Sequence, residues 1–166
     1  VQPWARPKPA RTTSVPVTLV YSFVAKAQPT GDLFLALEQP KRYRVAVNEV
    51  PVSTDMDAGW WTDLSLRKLP VDPSLIRLGE NEVVLTTPYD EAHPGFEIVY
   101  LLGTFGTRVK GTAVEMTAGP RSLRLGDWVK QGYPFYAGTM RYKASFFLEK
   151  QPSSNERVLI RLPEAK

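Results

Sequence analysis

The sequence contains no cysteine and only one histidine, so it offers few of the side chains that bind transition metals or act as nucleophiles and general bases. Without cysteine the chain has no disulfides, no thiolate metal ligands and no cysteine nucleophile. No apolar run approaches the roughly 20 residues that a membrane-spanning helix needs, so we expect no membrane partner. The lack of cysteine does not by itself assign a compartment, since many periplasmic proteins also do without disulfides.

The single histidine, His93, lies in the turn-like stretch 90–95. The sequence has no nucleophile elbow, no phosphate-binding loop, no dinucleotide fingerprint and no zinc-ligand spacing. Its 17 acidic residues offer many carboxylate pairs at no distinctive spacing, for example among Asp55, Asp57, Asp63, Asp90 and Glu91. We therefore predict that His93 is a solvated loop residue and that the chain is not an enzyme. A small hydrolase is the third-ranked hypothesis.

The 21 Lys and Arg residues give a net charge of +4, but they are spread along the chain. The densest groups are residues 41–44 and the N-terminal Arg6, Lys8 and Arg11. A nucleic-acid surface is typically a basic stripe interleaved with aromatic side chains, and no such stripe occurs here. We expect no nucleic-acid partner.

Short segments of alternating apolar and polar residues run through most of the chain, separated by turns rich in its 15 Pro and 11 Gly. Such alternation predicts β-strands, and many short strands predict a sandwich or barrel. A single helical turn is expected at 72–76, where Asp72 can cap a helix that starts with Pro73. We predict an all-β, mostly antiparallel sandwich with strands at 17–23, 32–38, 43–47, 81–87, 96–102, 112–117, 140–148 and 157–162.

Residues 1–14 are predicted to be a linker or a cut N-terminus, and residues 15–166 to be one sandwich domain. The segment 33–41 resembles 158–166, and each follows a Ser-Phe pair and a Gln-Pro turn at similar spacing. This weak internal echo leaves two interpretations of residues 139–166. They either close the sandwich or begin a truncated second copy of it.

Two aromatic clusters are the strongest functional signal. Adjacent residues of a strand point to opposite faces, so one of Trp60 and Trp61 is expected in the core and the other at the surface. The second cluster, at 128–136, is interrupted by Gly132 and Pro134 and is expected in a loop. Exposed rings can stack on the C–H faces of sugars while polar neighbours bind the hydroxyls. The candidate carbohydrate-binding residues are Trp60, Trp61, Asp63, Trp128, Tyr133 and Tyr136. Packing in the core or at a domain interface is the alternative use of these rings.

The loop 53–57, Ser-Thr-Asp-Met-Asp, alternates side chains that carry oxygen. Calcium takes six to eight oxygen ligands, so a structural calcium ion is one interpretation of this loop and a solvated acidic loop is the other. We predict no other metal site and no cofactor.

Two motifs resemble a known family. Residues 44–48, Arg-Val-Ala-Val-Asn, and 78–85, Leu-Gly-Glu-Asn-Glu-Val-Val-Leu, resemble the galactose-binding-domain-like sandwich of family 2 glycoside hydrolases and related bacterial glycosidases. In that family Gly follows the Asn, whereas Glu49 follows Asn48 here, so the turn must differ or be strained. Stretches 100–106 and 125–138 also resemble large bacterial proteins grouped with glycosidases.

The resemblance covers about residues 15–165 and implies a jelly-roll sandwich with an accessory role. It implies a carbohydrate and the catalytic domain of a larger bacterial protein as partners, in the periplasm or outside the cell. We predict a non-catalytic carbohydrate-binding module. The alternative is a structural interdomain sandwich that binds no sugar.

Overall fold

The computed structural model describes residues 13–136 and 138–161. Within these residues the chain forms two β-sheets and three single turns of 3₁₀ helix, which confirms the predicted all-β sandwich. The turns are Pro40–Arg42, Pro73–Leu75 and Val129–Gln131. No helix among the described residues is long and apolar enough to cross a membrane. The strands are β1 (Val15–Ala25), β2 (Thr30–Glu38), β3 (Arg44–Val47), β4 (Val50–Val52), β5 (Trp60–Trp61), β6 (Asp63–Val71), β7 (Gly79–Tyr89), β8 (Tyr100–Thr104), β9 (Gly106–Lys110) and β10 (Ala113–Thr117).

The larger sheet has six strands in the order β4-β3-β7-β1-β10-β9. Its longest pairing is antiparallel, between β1 and β7, and runs from Val15 opposite Tyr89 to Ala25 opposite Gly79. β1 also pairs with β10, in parallel, with Val24 opposite Glu115. β1 therefore lies at the centre of the sheet, although it is the first strand among the described residues.

The smaller sheet has four strands in the order β5-β6-β2-β8. β2 pairs antiparallel with both neighbours, so that Leu35 lies between Leu69 of β6 and Leu101 of β8. β8 is an edge strand within the described residues. The smaller sheet therefore has two strands fewer than the sheet that it packs against.

The core lies between the two sheets and follows from the period-two pattern of the strands. Leu33, Leu35 and Leu37 of β2 are buried, as is every second residue in the middle of β7, because one face of each strand points at the opposite sheet. Fully burying one such side chain stabilises the fold by about 1.5–3 kcal/mol relative to leaving it exposed. The core comprises Ala25, Leu33, Leu35, Leu37, Val45, Val47, Val52, Leu69, Val71, Ile76, Val83, Leu85 and Met116.

Two asparagines form a buried hydrogen-bonded pair at one end of the larger sheet. Asn48 Nδ2 donates to Asn81 Oδ1 at 2.7 Å and to the Leu75 carbonyl at 2.6 Å. Asn81 Nδ2 donates to the carbonyls of Arg77 and Gly79 at 2.8 and 3.0 Å. The pair joins the β3–β4 hairpin, the 3₁₀ turn at Pro73–Leu75 and the start of β7. The two motifs that carry the family resemblance thus meet here and have a structural role.

The β3–β4 hairpin turns at Asn48 and Glu49, which have φ values of 47° and 71°. Two consecutive residues at positive φ match the tight turns that suit β-hairpins, and glycine is favoured in them because it lacks a Cβ. Glu49, where the family has Gly, therefore sits in a strained backbone conformation, as the sequence indicated. The cap at Asp72 is also confirmed, since its Oδ1 accepts from Ser74 N at 2.9 Å.

The described residues show neither of the two strands predicted at the C-terminal end of the chain. Described residues 139–161 contain no strand, and the predicted strand at 96–102 begins only at Tyr100. Apolar alternation creates the capacity for a strand, but a strand also needs a partner with free hydrogen-bonding groups. Residues 1–12 of the predicted N-terminal linker lie outside the described residues. Residues 162–166, which include the end of the predicted strand 157–162, also lie outside them.

Candidate functional site

Trp60 and Trp61 form β5, the outermost strand of the smaller sheet, and they have different environments. Trp60 is 52% exposed, whereas Trp61 is partly buried. The Trp61 ring packs against Tyr100, with the ring centroids 4.9 Å apart and the planes at 59°. The pairing register with β6 shifts between the two residues, which turns them apart. Trp60 is thus the exposed ring, whereas Trp61 packs on Tyr100 at the cleft and does not lie in the core where one of the two rings was expected.

The exposed Trp60 lies directly opposite Arg67 on β6, and opposed residues of an antiparallel pair have neighbouring side chains. Arg67 donates from Nε and Nη2 to Asp57 Oδ2 at 2.9 and 2.5 Å. The Gly59 amide donates to Asp57 Oδ1 at 2.9 Å. An exposed aromatic face and a fixed guanidinium–carboxylate pair therefore share one surface, which we call the Trp60 surface (Asp57, Trp60 and Arg67).

Electrostatics in the Trp60 surface favour the charged form of its acid. The hydrogen bond from Arg67 lowers the pKa of the Asp57 carboxyl below its ordinary value, and the Gly59 amide and nearby Lys41 add to this effect. Desolvation of the carboxyl opposes them. The Asp57 carboxyl is thus favoured in its charged form, and its charge is compensated by the Arg67 guanidinium that binds it.

Asp63, the acidic candidate, has a local role in the β5–β6 turn. Its Oδ1 accepts from the Ser65 amide at 2.8 Å, and the hydrogen bonds from Ser65 lower its pKa. Thr62, between Trp61 and Asp63, has a φ of 61°. The Asp63 carboxylate therefore stabilises a tight turn. The acidic group of the Trp60 surface is Asp57, which binds the Arg67 that lies opposite Trp60.

The three aromatic candidates in the C-terminal loop pack on one another. Trp128 and Tyr136 meet edge to face at 6.2 Å, as do Tyr133 and Tyr136. The Thr107 amide donates to the Gly132 carbonyl at 2.7 Å and so attaches this loop to β9. The prediction of a loop is confirmed, and mutual packing is the arrangement that these rings adopt.

An apolar cleft of about 430 Å³ lies between the sheets beside the edge strand β8. Both aromatic segments reach it, through Trp61 and through the exposed ring of Phe135. Its wall also includes Phe23, Leu101, Phe105 and Met116. The cleft is a second candidate site. Its lining is mainly apolar, whereas the Trp60 surface contains an ion pair.

Sequence reasoning missed Arg67, Tyr100 and Phe135. Phe135 belonged to a recognised cluster, so its aromatic neighbours were a signal that could have found it. Arg67 carried no signal, because its position opposite Trp60 depends on the strand register across a turn.

The prediction that His93 is solvated is wrong. Its side chain is only 7% exposed and lies against Tyr89 and Phe96, with ring centroids 5.1 and 4.9 Å away. Nδ1 accepts from the Gly95 amide at 3.2 Å, and the buried Nε2 has no hydrogen-bond partner among the described residues. Aromatic side chains close over this turn, which composition alone does not reveal.

The loop 53–57 contributes one carboxylate to the Trp60 surface, because Asp57 binds Arg67. The Asp55 amide donates to Ser53 Oγ at 3.4 Å. In the described part of the chain no three His, Asp or Glu side chains come together in a way that would hold a metal ion. A structural calcium ion and a solvated acidic loop remain the two interpretations of this segment.

Comparison with protein-family models, with curated proteins and with solved structures finds no match for this chain.

Proposed function

We propose that this chain is a non-catalytic carbohydrate-binding module of jelly-roll type from a larger bacterial carbohydrate-active protein. The observation that carries the proposal is the Trp60 surface, where a ring that is 52% exposed lies beside the Arg67–Asp57 pair. An exposed aromatic ring beside a few fixed polar groups is the combination that small-molecule sites use for apolar contact and orientation. The partners we propose are a glycan and the catalytic domain of the parent protein, in the periplasm or outside the cell.

The chemistry of the surface suits a sugar ring. Trp60 offers a flat apolar face to the axial C–H groups, and the fixed ion pair offers both donors and acceptors to hydroxyls. Arg67 uses Nε and Nη2 for Asp57, and we assign Nη1 to a ligand hydroxyl. Because the surface is shallow and buries little ligand area, one site binds weakly. Its use is to keep an attached enzyme near an insoluble or polymeric substrate.

Affinity electrophoresis through gels that contain plant, algal or bacterial polysaccharides tests the proposal. We expect one class of glycan to retard the protein and Trp60→Ala to abolish the retardation. Arg67→Ala should weaken it, because the hydroxyl donor is lost and Asp57 is released. Trp128→Ala is the matched control, since it removes a tryptophan whose ring packs on Tyr136, and it should keep the retardation.

Two outcomes would contradict the proposal. One is a lack of retardation on every glycan class by a protein whose circular dichroism shows a folded β-sandwich. The other is retardation that survives Trp60→Ala. Either outcome would show that the protein does not bind glycans through the Trp60 surface.

A structural interdomain sandwich is the second candidate. It is favoured by the open apolar cleft and by exposed apolar residues near the C-terminal end, including Phe147 at 89% and Leu159 at 88% exposure. Such residues are costly in water unless another surface covers them. A protein that fails every glycan test but binds its parent catalytic domain would support this second function.

A further inference from the structure

The edge of β8 has free backbone groups beside an apolar space. β8 pairs with β2 on one side, and no described strand occupies its other side. The larger sheet extends past it through β10 and β9, so the cleft of about 430 Å³ opens at this edge. Native proteins usually cover or block such an edge because its N–H and C=O groups can pair with any strand.

The segment 140–148 has the pattern that this edge requires. Met140, Tyr142, Ala144, Phe146 and Leu148 alternate with more polar residues up to 145, so an extended segment has an apolar face. Met140 and Tyr142 are already partly buried, whereas Arg141 and Lys143 between them are exposed. The Tyr142 hydroxyl is buried without a hydrogen-bond partner among the described residues. The first part of the segment thus shows the alternating burial that is typical of a strand with one covered face.

Two further apolar residues of this face remain exposed to solvent. Phe146 is 61% exposed and Leu148 is 46% exposed. The chain therefore has two apolar surfaces that could cover each other. One is this face of the segment, and the other is the wall of the cleft.

The path of the chain brings the two together. The Thr107–Gly132 hydrogen bond holds the C-terminal loop just beyond the end of β8, and Phe135 lines the cleft. A segment that leaves from this end runs back along β8 in the opposite direction, which is antiparallel pairing. At about 3.3 Å per residue, nine residues span about 30 Å, more than the five-residue edge needs.

We propose that residues 140–148 form an eleventh strand that pairs antiparallel with the free edge of β8 and closes the cleft with its apolar face. The surface is the β8 edge, and its occupant is this segment of the same molecule. The closing strand would extend the smaller sheet to five strands. It is independent of sugar binding at the Trp60 surface.

Hydrogen–deuterium exchange with mass spectrometry on the full chain tests the closing strand. We expect peptides that cover 100–104 and 140–148 to exchange at least about tenfold more slowly than the polar turn at 151–156. Ala144→Pro removes an amide and disfavours a strand, so it should speed exchange in both peptides. Ser154→Pro is the matched control, because it places the same residue in the polar turn and should leave both unchanged.

Three results would overturn the proposal. Rapid exchange of 140–148 in the unmodified chain would mean that the strand does not form. Slow exchange of 140–148 that Ala144→Pro leaves unaltered at 100–104 would place the segment elsewhere. Protection that disappears on dilution would assign it to a second copy of the chain. Affinity electrophoresis of Ala144→Pro separates this test from that of the proposed function, since glycan retardation should not change.

Discussion

The sandwich at 15–117 and the C-terminal region at 118–161 share a sequence pattern but differ in structure. Val83 and Leu85 alternate with polar or partly exposed residues on β7 and are buried, whereas Ala144 and Phe146 alternate with Lys143 and Ser145 and are exposed. β7 has hydrogen-bonded strands on both sides, β1 and β3. The comparison shows that alternation supplies an apolar face, while long-range pairing decides whether that face is buried.

The largest expected difference between the two regions concerns their leucines. Leu69 is fully buried in β6, and Leu159 is 88% exposed. We expect Leu69→Ala to lower the free energy of unfolding by about 2–5 kcal/mol, because it removes buried methyl groups and leaves a cavity. Leu159→Ala should change it by less than about 0.5 kcal/mol. Urea denaturation followed by fluorescence measures both, and equal losses would contradict the division of the chain into these regions.

The next largest effect concerns polar residues. Asn81 is 1% exposed and makes side-chain hydrogen bonds to Asn48, Arg77 and Gly79. Asn81→Ala should cost about 2–3 kcal/mol, since buried donors and acceptors lose their partners. The exposed Asn155 is the control, and Asn155→Ala should leave the urea midpoint unchanged. A small effect of Asn81→Ala would mean that water replaces the lost partners.

The smallest effect should be a gain in stability. Glu49 has a φ of 71°, and a left-handed conformation costs a non-glycine residue about 1–2 kcal/mol. Glu49→Gly should therefore raise the free energy of unfolding by about 1 kcal/mol after the greater flexibility of glycine in the unfolded chain is subtracted. Glu49→Ala keeps the Cβ and is the control, with no comparable gain expected in a thermal melt. A loss of stability with Gly would show that the Glu49 side chain makes a compensating contact.

Local patterns in the sequence predicted the fold class, most strands of the sandwich, the Asp72 cap and the different environments of Trp60 and Trp61. These features depend on residues close together in the chain. The position of Arg67 opposite Trp60 and the burial of His93 depend on strand register and on rings that close over a turn, which no local pattern encodes. The described residues show no strand at 140–148 or 157–161, because alternation alone does not specify a partner; for 140–148 the partner that we propose is the free edge of β8.

The parallel pairing of β1 with β10 has a consequence for synthesis on the ribosome. β1 begins at Val15, but Val24 finds its partner Glu115 only after most of the sandwich has been made. At about 5–20 residues per second, roughly 5–20 seconds pass between the two strands. During that time one edge of the central strand stays unpaired, so folding should be slow and should benefit from chaperones that shield nascent β-strands.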